Sequence, residues 1–145
     1  MTLRPLVPVV LALAAVAAGC GDEPGAPTRP GDEGYVESVQ ALLSPAGRLA
    51  GLVAAQLGPR PAPWPSQPDV SRTLERGDTA LASLRALRLS DARVRRQRDR
   101  LVRAFTAVRG AMGRVAGDLT RRDRAALRRH APAFLRGLRR LPSAV

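Results

Sequence analysis

The chain has 145 residues, with 24 Arg and no Lys against 12 acids, one His and one Cys. That length holds at most one compact domain. Aromatic residues are only 3% and Ile is absent, so a barrel or sandwich of β-branched and aromatic strands has little material, and a small helical domain is the expected class.

The first twenty residues read as an export signal, with Arg4 as the positive end, an apolar run from Leu6 to Ala18, and small residues before Cys20. The run is too short to span a bilayer comfortably. Ala17-Ala18-Gly19-Cys20 resembles a bacterial lipobox, with Ala17 standing where Leu is usual. The resemblance implies a diacylglyceryl group on Cys20, cleavage ahead of it, and a protein anchored by lipid at the extracytoplasmic face of the cell membrane. The plainer alternative is an ordinary cleaved signal with a stray Cys. An unpaired thiol on an exported chain is a poor default, and lipidation would leave no thiol for a disulfide or a thiolate metal site.

Residues 20–34 are a Gly, Pro and acid mixture that cannot bury a core and reads as a disordered tether, long enough as a coil to hold a domain about 20 Å from its anchor. From Tyr35 the pattern turns helical: Tyr35, Val39, Leu42, Ala46, Leu49, Val53 and Leu57 advance by threes and fours. The stripe keeps its phase across Pro45, which predicts one helix kinked there, or two with Ser44 as a cap. A linker over 58–69 carries five Pro and is expected to be extended, with Trp64 folding back as a lid on the bundle end.

Val70, Leu74, Gly77, Leu81 and Leu84 form the next stripe, with Asp69 or Ser71 to cap its start. Ser90 is expected to cap a third helix carrying Val94, Leu101, Phe105, Val108, Met112, Val115 and Leu119, interrupted only by Arg98 and broken at Gly117-Asp118. Thr120 with Asp123 makes a capping-box-like start for a fourth stripe, Leu127, Ala131, Phe134, Leu138 and Leu141, which Pro132 kinks or restarts. The fold predicted over 35–142 is therefore all-α, an antiparallel bundle of about four helices.

The order of lipobox, tether, Gly34-Tyr35-Val36, Leu84-Arg85-Ala86-Leu87 and a long Arg-rich helix ending at Gly117-Asp118 is similar to small helical lipoproteins of high-GC actinobacteria. That group has no assigned activity, so the resemblance implies location and architecture. The absence of Lys, Asn and Ile fits a GC-rich genome, in which Arg replaces Lys through codon usage. Acidic residues remain available at any GC content, so the excess of Arg over acids is a separate matter. It is uneven: residues 20–70 hold 3 Arg and 6 acids, whereas residues 71–145 hold 20 Arg and 6 acids.

Catalytic chemistry finds little support. His130 is the only imidazole and reads as a surface residue, no Gly-rich phosphate loop is present, and the acid pairs Asp22-Glu23 and Asp32-Glu33 lie in the tether. Arg76-Gly77-Asp78 spells an integrin-type tripeptide but falls within a helical stripe. No enzyme activity, cofactor or metal is expected. What remains is basic surface: Arg93, Arg96, Arg100 and Arg103 line one helix face, and Arg122, Arg129, Arg136 and Arg140 line another. These suit anionic lipid, cell-wall polymers or an acidic protein, against the bland reading of a solvated face. Nucleic acid is a poor candidate, since no aromatics interleave the Arg to stack bases. The expected function is a membrane-anchored interaction module; the alternative is a carrier binding a small ligand between the helices.

Overall fold

The apolar stripes close into four helices, α1 (Glu33–Leu57), α2 (Gln67–Ala86), α3 (Ala92–Arg121) and α4 (Arg124–Arg140). The structure is a computed structural model and describes residues 33–141; the export run, Cys20 and the tether up to residue 32 lie outside the described residues. No strand occurs among the described residues. Successive helices run antiparallel, as their cross-contacts require. The Leu87 side chain lies 3.7 Å from the Cβ position of Gly34, and Pro45 meets Gly77 in the same way at 3.8 Å. Arg85 reaches Thr106 and Arg109 reaches Asp78, while Val108 packs on Gly137. Helix α4 packs back against α1, closing the bundle.

The stripes predicted from the sequence meet in one core. Phe105, Phe134, Leu42, Leu49, Leu84, Leu101, Met112, Leu119 and Leu127 are all fully buried. The cluster runs from Tyr35 to Leu141, so the chain from residue 34 onward carries the core with it. Both internal prolines sit within continuous helices. The buried Pro45 ring faces Gly77, and the helix bond it removes frees the carbonyl of Ala41, an exposed residue that water can reach. Pro132 is exposed and neither restarts nor ends α4.

Several element ends differ from the sequence reading, each for a local reason. Helix α1 starts at Glu33, two residues earlier than expected. The cap of α2 is Ser66, neither Asp69 nor Ser71: its Oγ accepts from the Asp69 N–H and donates to Asp69 Oδ2 at 2.6 Å. Pro68 is tolerated in that first turn because its missing N–H would have had no helical partner. The cap of α3 is Asp91 rather than Ser90, its Oδ1 accepting from the N–H groups of Arg93 and Val94. Gly117-Asp118 does not break α3, which continues to Arg121. The chain then turns at Arg122, whose φ of 58° is left-handed and whose N–H returns to the Asp118 and Leu119 carbonyls. Asp123 itself caps α4, accepting from the Ala126 N–H at 2.9 Å.

Candidate functional site

The helix register decides where each predicted Arg stands. Arg93, Arg96, Arg100 and Arg103 are all exposed on the first half of α3. This is the end of the bundle where α1 begins and α2 and α4 finish. The neighbouring Arg95 and Arg98 have other work. Arg95 Nη1 donates to the Leu89 and Ser90 carbonyls, and Arg98 Nη1 donates to the Leu87 carbonyl at 2.7 Å. The charge that interrupts the apolar stripe of α3 thus ties down the α2–α3 connection.

Of the second predicted stripe, Arg129, Arg136 and Arg140 lie within α4 at spacings of 7 and 4 that keep them on one face, and only Arg122 falls outside the helix. Arg122 lies in the turn before that helix, and Arg129 sits near the same end, one turn and a half into α4. Arg136 and Arg140 lie at the far end, where α4 runs beside the middle of α3. All four are exposed. None of the eight predicted Arg forms an ion pair among the described residues, where acids are taken by Arg72, Arg98, Arg109, Arg121 and His130.

Arg136 and Arg140 line a depression of about 350 Å³ between α3 and α4, together with Arg114, a residue that sequence reasoning missed. Its floor is Ala104, Ala107, Ala111, Ala133 and Gly137. The signal for it was present: Ala104, Ala107, Ala111 and Arg114 advance by 3, 4 and 3, a small-residue stripe beside the apolar one. No acid lines this depression, and α4 contains none at all. A second, larger depression of about 670 Å³ lies between α1 and α2, near Pro45, with Glu37, Arg72, Glu75 and Arg76 on its rim, so its charges balance.

His130 is not the free surface residue that the sequence suggested. It packs beside Asp118, a carboxylate with no exposed surface, and its Nδ1–H donates to Asp118 Oδ2 at 2.7 Å. The other oxygen accepts from Arg121 Nη2 at 2.7 Å. Arg121 passes close over Gly117, its Nη1 lying 3.1 Å from the position a Cβ would take there. At the same end Gln56 is buried and donates to the Ala62 and Pro63 carbonyls, while its Oε1 accepts from Arg124. The Arg124 guanidinium lies 5.2 Å from the centre of the Trp64 ring, which packs on the core as the expected lid. These polar groups brace the linker and the α3–α4 turn.

Among the described residues no three potential ligands come together to hold a metal ion, and no helix is long and apolar enough to cross a membrane. No family model matches the chain, and no curated protein or solved structure is detectably similar to it.

Proposed function

We propose that the protein is a lipid-anchored, non-enzymatic interaction module of the extracytoplasmic face of the cell membrane, whose basic surface binds an anionic component of the envelope. The observation that carries this reading is the unbalanced charge of α3 and α4 at one end of the bundle. Arg93, Arg96, Arg100 and Arg103 are exposed there without an acidic partner among the described residues. Helix α1 begins at the same end, so the chain leads from Cys20 into the basic pole of the domain. An anchor on Cys20 would hold that pole within reach of headgroups, where each Arg contributes about 1 kcal/mol. The filled core, with Phe105, Phe134 and Met112 fully buried, favours this reading over a carrier that encloses a ligand inside the bundle.

The anchor and the basic face are tested separately. Labelled fatty acid supplied to a bacterial host should mark the full chain and not the Cys20→Ser variant; equal labelling would remove the anchor from the account. For the face, the fragment from Gly34 to Val145 excludes any contribution from lipid on Cys20. It should float with anionic vesicles, and replacing Arg93, Arg96, Arg100 and Arg103 by Gln should weaken binding at least tenfold while the helical spectrum is kept. Unchanged flotation of that variant would reduce these side chains to a solvated face.

A further inference from the structure

The α3–α4 depression differs from the rest of the basic surface because it has shape as well as charge. Gly137 has no Cβ, and the space it would fill is taken by Val108, whose Cγ2 lies 2.8 Å from that position. The two helices therefore approach closely, and the methyls of Ala104, Ala107, Ala111 and Ala133 leave a shallow apolar floor beside the contact. Arg136 and Arg140 stand one turn apart on α4, and Arg114 joins them from α3. At about 350 Å³ the depression lies at the small end of ligand sites, roughly 300 to 1,000 Å³.

We infer that this groove binds one anionic phospholipid, its phosphodiester held by Arg114, Arg136 and Arg140 and its glycerol and first methylenes resting on the alanine floor. The inference rests on the anionic-surface reading and gives that reading a stoichiometric site. Three guanidiniums without an acid select an anion, and guanidinium donors match phosphate oxygens in pairs. The apolar floor favours a phosphate ester over free phosphate, which would leave the methyls uncovered. An acidic protein fits less well, because the groove lining offers Arg but none of the aromatic residues that share the anchoring of protein interfaces with it. The exposed large hydrophobic among the described residues is Val36, on α1 and outside the groove.

Native mass spectrometry of the full chain in neutral detergent counts what the groove retains. The probes are phosphatidylglycerol, phosphatidylcholine, inorganic phosphate and a Glu-rich peptide, each at matched concentration. One phosphatidylglycerol should be held at least tenfold better than any other probe. The double variant Ala107→Leu, Ala133→Leu fills the floor from two exposed positions and keeps every Arg; it should lose that lipid. Arg114→Gln with Arg136→Gln should lose it as well, which guards against a folding defect peculiar to the first variant. Retention of the lipid by the filled groove, or equal retention of phosphate, phosphatidylcholine or the peptide, would overturn the site. The filled variant of the fragment should still float with anionic vesicles through Arg93, Arg96, Arg100 and Arg103. A filled chain that keeps its lipid while the fragment floats overturns the groove and leaves the surface reading standing. Groove-dependent lipid retention by a protein whose fragment ignores vesicle charge would do the reverse.

Discussion

Two glycines in helix interiors show how differently the same atom can matter. Gly77 has room for a methyl group, since its nearest neighbours, Pro45 Cβ, Met112 Cε and Phe105 Cζ, lie 3.8 to 3.9 Å from the Cβ position. Gly77→Ala should therefore stabilise the protein by about 0.5 to 1 kcal/mol through the entropy of the unfolded chain. Gly137→Ala puts a methyl 2.8 Å from Val108 Cγ2 and should lower the melting temperature instead. Thermal melts of the pair check the sign, and destabilisation by both would contradict the packing at Gly77. The Asp118 carboxylate makes a second residue-scale case. Removing its donor by His130→Ala leaves Oδ2 of a fully buried carboxylate without a partner, at about 1 to 3 kcal/mol. His130→Gln, which can still donate, should recover part of that loss in the same denaturant titration; no loss in the Ala variant would remove the pair from the account.

At the scale of the element, each helix rests on its buried stripe more than on its caps. Phe105, central to α3 and fully buried, should cost about 3 to 5 kcal/mol when replaced by Ala, and an unchanged melting curve would contradict its place in the core. The stripes were legible in the sequence because helical spacing repeats many times along α1 and α3, so a single Pro45 or Arg98 could not erase the phase. Caps were less legible because several short polar residues stand within a few positions of each start, and which one accepts the orphan N–H groups depends on local geometry. Ser66 was hidden by the five prolines around it, and Pro68 looked like a reason to begin later. The Gly117-Asp118 pair looked like a helix end, yet the Arg121 side chain lies over Gly117 and donates to Asp118 within the continuing helix. His130 was misplaced for a related cause: its partner lies twelve residues away across a turn that periodicity does not describe.

At the scale of the molecule, ion pairs among the described residues are few beside the number of Arg, and those that bridge helices are specific. Arg109 Nε and Nη2 hold both oxygens of Asp78, joining α3 to α2. That hydrogen bonding keeps the Asp78 carboxyl below its usual range, against some desolvation. A carboxyl depressed in the folded state contributes stability above its unfolded value of about 3.9, and loses it as pH falls through the folded value. The gap between the melting temperatures of the parent and Asp78→Asn should therefore shrink from pH 7 toward pH 2; a constant gap would contradict the pair. On the alkaline side, burial raises the Tyr35 phenol above its ordinary value, so its contribution is lost as pH rises beyond about 10. The buried Tyr35 hydroxyl has no partner among the described residues, and Tyr35→Phe should flatten the alkaline fall without loss at neutral pH.

The unequal charge of the two halves was plain in the sequence, whereas the site between α3 and α4 was not, because Arg114 joins Arg136 and Arg140 only when the helices pair through Val108 and Gly137. The central claim is that this basic surface meets an anionic one, and the salt dependence of vesicle binding tests it most directly. Raising ionic strength from 0.1 M to 1 M shortens the screening length from about 10 Å to about 3 Å. The fragment from Gly34 to Val145 should bind anionic vesicles at 0.1 M, lose most of that affinity by 1 M, and ignore zwitterionic vesicles throughout. Affinity that is indifferent to salt, or equal on the two kinds of vesicle, would contradict the account.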